Sequence, residues 1–208
     1  MKYVNELTER YPALSPLKSD IETAVEEIVK SYKNGGKVLL CGNGGSASDS
    51  DHVAGELLKG FLMKREPIGD ELISLEAELS EDAVKLQRGI PAIPLPQLSG
   101  VLSAFANDVD PSLVYAQLVY ALGRKGDILI AFSTSGNSAN VVKAAKCARA
   151  IGVFVITLTG ESGGKLKALS DVSLRAPETE TFKVQEYHLP IYHAICAEVE
   201  NVLFGDIE

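Results

Sequence analysis

The chain reads as a doubly wound α/β protein built on a parallel sheet. Short uninterrupted apolar runs recur at 38–41, 128–132 and 153–158, the pattern of strands buried on both faces. A polar or glycine-rich turn follows each of them, at 42–46, 133–138 and 159–164. Amphipathic segments lie between. Strands alternating with helices imply crossover units on a parallel sheet.

Residues 16–33 predict a helix, because Leu17, Ile21, Ala24, Val25, Ile28, Val29 and Tyr32 recur at spacings of three and four. Gly35-Gly36 stops it. The strand at 38–41 leads through Gly42-Asn43-Gly44-Gly45-Ser46 into a helix carrying His52 and Glu56. Residues 65–89 stand outside the rhythm. They are acidic at first, and Ser80 followed by Glu81-Asp82 predicts a helix start that Gly89 closes. A short strand is expected at 92–95. The unit then repeats as strand 128–132, turn 133–138 and helix 139–151. Strand 153–158 and a shorter one at 172–174 complete the sheet. The last stretch, 182–204, reads as a long helix interrupted by Pro190. No low-complexity linker divides the chain, so one domain over 1–208 is expected, with helical additions at 1–34 and an insertion at about 65–90.

Composition excludes several classes. Of 208 residues, 46% are hydrophobic and 23% charged, which is a globular composition. The net charge of −8 argues against sequence-independent nucleic-acid binding and against anionic membranes. No apolar run approaches the roughly 20 residues of a membrane span. The N-terminus shows no signal-peptide pattern. Cys41, Cys147 and Cys196 fit neither a disulfide framework nor a CxxC site and are expected to be small buried hydrophobes. A cytoplasmic protein is expected.

Acidity does not exclude an anionic ligand. Ser133-Thr134-Ser135-Gly136-Asn137-Ser138 places four hydroxyls between a strand and a helix. A helix N-terminus offers unpaired N–H groups, and hydroxyls add donors without net positive charge. One hydroxyl would suffice for a cap, so four indicate a phosphate cradle. The Gly-Lys-Ser/Thr ending of an ATPase loop is missing. The 42–46 loop lacks GxGxxG spacing, so a dinucleotide fingerprint is rejected. His52 and Glu56 share a helix face at i and i+4, a pairing suited to one zinc ion or to acid–base work. The other two histidines, His188 and His193, fall near Gln185-Glu186.

Together these blocks resemble the sugar-isomerase (SIS) domain superfamily, and within it the phosphoheptose isomerase family. The residues that carry the resemblance are the 42–46 loop, His52 with Glu56, Ala106-Asn107-Asp108, the 133–138 serine loop, and the stretch from Gln185-Glu186 to His193. The resemblance implies a flavodoxin-like three-layer α/β/α sandwich around five parallel strands. Ser133, Thr134, Ser135 and Ser138 would hold the phosphate of a phosphorylated sugar. Asn43, Gly44, Gly45, Ser46, His52, Asn107, Asp108 and Gln185 would line the substrate site. His52, Glu56, Gln185 and His193 match the family's zinc (Zn2+) positions. A homotetramer, or at least a homodimer, is implied, with the N-terminal helix between subunits and active sites at the interfaces. Two features depart from the family: Phe182 stands where an acidic residue is usual, and the 65–90 insertion is atypical.

The reaction implied is aldose–ketose isomerisation, most specifically of sedoheptulose 7-phosphate, through an enediol. Glu56 is the candidate base and His193 the candidate acid. On a straight helix, eight residues separate Gln185 from His193 by about 12 Å of rise. Both would reach one ion only if Pro190 breaks the helix or one residue comes from another subunit, and His188 competes with His193 for that place. The alternatives are a non-catalytic phosphosugar-binding module, either a sensor or an assembly factor such as a replication-initiator-binding protein, and an SIS enzyme for another sugar phosphate. A binding module needs the serine loop but not His52, Glu56 and His193 together.

Overall fold

The computed structural model describes residues 1–205; residues 206–208 of the expected domain lie outside the described residues. Five parallel strands form the sheet: β1 (Val38–Cys41), β2 (Ala92–Pro94), β3 (Ile128–Phe132), β4 (Phe154–Thr159) and β5 (Val172–Arg175). Their order is β2-β1-β3-β4-β5. β1 and β3 match the apolar runs residue for residue, and β4 is displaced by one. Val38 pairs with both Ala92 and Ile128, and Ile128 with Phe154.

Eight α-helices surround the sheet: α1 (Lys2–Arg10), α2 (Lys18–Lys33), α3 (Gly45–Leu58), α4 (Gly69–Leu79), α5 (Ser99–Asp108), α6 (Val114–Leu122), α7 (Ala139–Ala150) and α8 (Thr181–Phe204). Successive strand side chains point to opposite faces, and this divides the core in two. Val38, Leu40, Ile128, Ile130 and Phe132 pack with α2, α3 and α8; Leu39, Cys41, Leu129 and Ala131 pack with α6 and α7. The result is the expected three-layer sandwich. Leu39 and Leu129 are fully buried, so truncating either to Ala costs about 2–5 kcal/mol.

Several segments differ from expectation. The helix of the insertion precedes Ser80 instead of following it. Asp70 and Glu71 occupy the first turn of α4, where acidic side chains favour a helix N-terminus. Ser80 adopts φ 50° and ends the helix, and Ser80–Lys85 forms a 3-10 turn. No residue of α4 is buried. α8 runs unbroken through Pro190. Proline removes one backbone hydrogen bond, but Val184, Ile191, Tyr192 and Ile195 on either side are buried, and that packing carries the helix across. Pro12–Leu17 is a 3-10 segment, so the second helix begins later than its periodicity suggests. α5 and α6 are two further helices between the expected strands at 92–95 and 128–132. Cys41 and Cys196 are buried as expected, whereas Cys147 is only half-buried. Burial pushes the Cys41 and Cys196 thiols up to about 12, which leaves them inert as nucleophiles.

One buried ion pair joins the insertion's entry to the sandwich. Arg65 Nε donates to Glu200 Oε1 at 2.7 Å, with both side chains fully buried. The same guanidinium donates to the carbonyls of Leu57 and Glu56, capping the end of α3. Glu200 also accepts from the backbone N–H groups of Phe61 and Leu62.

Candidate active site

In an open α/β sheet the crevice opens beyond the carboxyl ends of the strands, where the strand order reverses. Here β1 runs out to β2 on one side and β3 begins the other half. The loops leaving β1 and β3 are residues 42–44 and 133–138, the two polar turns singled out in the sequence. Asn43 and Asn140 clasp them together by a reciprocal amide pair, 2.9 Å each way.

The serine loop is held open toward solvent. Ser138 is the N-cap residue of α7, yet its side chain makes no cap bond. Instead the Ser133 hydroxyl donates to Ser138 Oγ at 3.0 Å. The start of α7 is left largely without capping side chains, and Ser135 is exposed. Gly136 has φ +65°, and a Cβ there would lie 2.1 Å from the Gly163 carbonyl oxygen. Only glycine fits. Further bonds brace the loop: Leu166 N–H donates to the Gly136 carbonyl, and Lys165 N–H to Asn137 Oδ1. α3 likewise starts at Gly44 without a side-chain cap. The Tyr115 hydroxyl braces its loop by donating to the Gly42 carbonyl at 2.6 Å. Ser46 is buried in the first turn. Two uncapped helix N-termini and a set of neutral hydroxyls therefore face one crevice, an arrangement suited to a phosphate.

Further along α3 the chemistry changes. His52 Nε2 lies 3.2 Å from Glu56 Oε1 and 3.4 Å from His193 Nε2. The His193 ring stands edge-on to His52, with Phe61 tilted against it. Desolvation and the neighbouring His52 hold His193 below the ordinary histidine value, while Glu56 pulls the other way. Glu56 is mostly covered and also accepts from Lys59 at 3.2 Å. A groove of about 390 Å³ opens beside His193, walled by Tyr3 and Leu7 of α1 and by Phe61, Leu189 and Pro190.

A tetrahedral zinc ion with bonds of about 2.0–2.1 Å sets its ligand atoms roughly 3.3–3.4 Å apart. The His52–Glu56 and His52–His193 separations suit that spacing, and two imidazoles with a carboxylate are zinc donors. Among the described residues no group of three or more His, Cys, Asp or Glu side chains is arranged to hold a metal ion; the spacing fits zinc pairwise, and a site would need donors beyond these. Gln185 is the glutamine at hand, but its amide packs against Gly45: a Cβ on Gly45 would lie 2.6 Å from Gln185 Nε2. Since α8 is continuous, Gln185 meets the start of α3 while His193 meets its middle. The two are not brought together within one chain. His188 points elsewhere. It is fully buried, its Nε2 is 3.3 Å from the Thr159 carbonyl, and burial pushes it down to about 4. Asn107 and Asp108 bond to each other at the exposed end of α5, a helix that packs on the 111–113 turn and α6.

Three residues of this region carried no role in the sequence reading. Asn140 closes the clasp on Asn43. Tyr192 OH lies 3.1 Å from His52 Nδ1 and 3.4 Å from Asp49 Oδ1. Asn140 stood within the serine-loop motif and could have been weighed there. Asp49 and Tyr192 meet across the fold, and no local pattern signals that.

Comparison with known proteins agrees with this layout. The SIS domain family model matches residues 2–160. The phosphoheptose isomerase of Aliarcobacter butzleri is 38% identical over 190 residues, covering 91% of this chain and 89% of its own. That of Helicobacter hepaticus is 40% identical over 181 residues, covering 87% and 81%. The solved structure of a phosphoheptose isomerase from Francisella tularensis superposes with a TM-score of 0.78 at 32% identity, covering 92% of this chain and 91% of that one. With identity of this level spread over nearly the whole sequence, the chain belongs to the phosphoheptose isomerase family of SIS-domain proteins.

Proposed function

We propose that the protein interconverts sedoheptulose 7-phosphate and the corresponding aldoheptose 7-phosphate. The observation that carries this reading is the adjacency, along one helix, of a neutral anion cradle and a His–Glu–His group. A phosphate seated on the 133–138 loop and the start of α7 would be bound by Ser133, Thr134, Ser135 and Ser138. The carbonyl end of the sugar would then extend along α3 toward Glu56. There Glu56 removes the proton from C1 of the ketose, leaving an enediol, and returns it at C2. His193, kept neutral by its surroundings, donates and recovers a proton at the oxygens. Asn43, Gly44, Gly45 and Ser46 line the β1 side of the crevice.

A zinc ion belongs to this proposal. His52, Glu56 and His193 would hold it, with Gln185 as a further donor from another copy of the chain, and Glu56 and His193 would alternate between this role and proton transfer. When bound, the ion supplies Lewis-acid polarisation of the sugar oxygens. The α1-walled groove beside His193 supports assembly of at least two copies, and a homotetramer is the form proposed. Asn107 and Asp108, remote from the loops in one chain, are proposed as substrate contacts in that assembly. One domain, N-terminal helices between subunits, a cytoplasmic location and no nucleic-acid partner complete the proposal. Among the described residues no helix is long and apolar enough to cross a membrane.

Incubation with sedoheptulose 7-phosphate in deuterium oxide, followed by proton NMR, tests the reading. The expected result is an aldoheptose 7-phosphate carrying deuterium at C2. Absence of conversion with zinc supplied would overturn it, and phosphosugar binding without turnover would indicate a sensor module.

A further inference from the structure

A neutral imidazole has one ring proton, and His52 has partners on both nitrogens. Nδ1 faces the Tyr192 hydroxyl at 3.1 Å; Nε2 faces Glu56 at 3.2 Å and His193 at 3.4 Å. The Tyr192 phenol also has one proton and two neighbours, His52 Nδ1 and Asp49 Oδ1. Which neighbour takes the phenol proton decides which imidazole nitrogen is bare.

Asp49 decides it. Its Oδ2 is buried with no hydrogen-bond partner, so the phenol is the one donor reaching this carboxylate. Asp49 is half-buried, and a carboxylate with one oxygen already unpartnered costs more to leave without any donor than a lost neutral hydrogen bond. Tyr192 is itself only 3% exposed. A tyrosine hydroxyl keeps its proton at neutral pH, so it stands here as a phenol and a donor. With its proton spent on Asp49, the phenol oxygen can only accept, and His52 must present Nδ1–H to it.

We infer that Tyr192 is a positioning residue: through the chain Asp49···H–O–Tyr192···H–Nδ1–His52 it holds His52 as the Nδ1–H tautomer, with the Nε2 lone pair turned toward Glu56 and His193. A histidine that ligates a metal through Nε2 needs this tautomer, set by a partner on the other nitrogen. The inference deepens the proposed site and rests on it for its purpose, though not for its geometry. Without the relay His52 can place its proton on Nε2 and donate it to Glu56, which closes the donor face against a metal.

The test uses protein labelled with nitrogen-15 at histidine. Long-range proton–nitrogen spectra of metal-free enzyme should show His52 with a protonated Nδ1 and a bare Nε2. In Tyr192→Phe, which removes one hydroxyl and little volume, the proton should shift toward Nε2. Zinc affinity, measured by competition with a chelator, should fall about 10-fold, the lower end of what loss of such a supporting partner costs. A wild-type spectrum with the proton on Nε2 would overturn the inference even if the variant did not fold. So would a Tyr192→Phe protein with unchanged tautomer and unchanged zinc affinity. Because the tautomer is read without metal or substrate, a protein that failed to isomerise would overturn the functional reading and leave this result standing on its own.

Discussion

The two ends of the crevice are built from opposite materials. Around the start of α3 and α7 the groups are neutral: hydroxyls, amides and backbone N–H, clasped by the Asn43–Asn140 pair and braced by Gly136 against Gly163. One to three turns along α3 the groups titrate: His52, Glu56 and His193 within 3.4 Å of one another in successive pairs. Binding a dianion needs fixed donors that do not change with pH. Moving a proton needs groups that do. The difference fits a chain of net charge −8 to a phosphorylated ligand, because the proposed cradle needs no lysine.

Removing the charge at the chemical end should have the largest effect. Glu56→Gln keeps the shape of the side chain and removes the proposed base; turnover should fall roughly 10³-fold, within the range for a positioned acid or base. Steady-state kinetics checks it, and an unaltered kcat would show that the base lies elsewhere.

His188 gives the next effect, on stability. It lies beneath the binding end, yet burial pushes it down to about 4, against roughly 6.5 in the unfolded chain. Between these values the unfolded chain binds more protons than the folded one. Stability should therefore be full above pH 6.5 and fall as the pH drops toward 4, by about 3 kcal/mol in all. Denaturant titrations across that window on the wild type and on His188→Gln should show the slope in the first and a much flatter profile in the second.

A hydroxyl of the cradle comes last. Ser135→Ala removes one exposed donor of several and should raise KM about 10-fold, the loss of one hydrogen bond of roughly 1.5 kcal/mol to a charged group. Its kcat should hold within twofold.

The same contrast governs what the sequence could reveal. β1 and β3 are legible to the residue because strands buried on both faces must be continuous apolar runs, and 38–41 and 128–132 are. The serine loop and the His52–Glu56 spacing are legible because each lies within one short segment. α4 was misplaced because Ser80 carries a start signature while its backbone, at φ 50°, ends the helix before it. Pro190 looked like a break because propensity is local, whereas the packing that carries α8 across it is tertiary. Asp49, Tyr192 and Asn140 act through contacts between segments about 100 to 140 residues apart, and no spacing rule reaches that far.

The division of labour along α3 is the central claim, and a crossed measurement tests it most directly. Affinity for sedoheptulose 7-phosphate by calorimetry and kcat by the isomerisation assay are determined for both Glu56→Gln and Ser135→Ala. Glu56→Gln should lose turnover while binding within a few-fold of the wild type, and Ser135→Ala should lose affinity while keeping kcat. If each variant lost both properties in equal measure, the two ends of the crevice would be one inseparable site and the account would be contradicted.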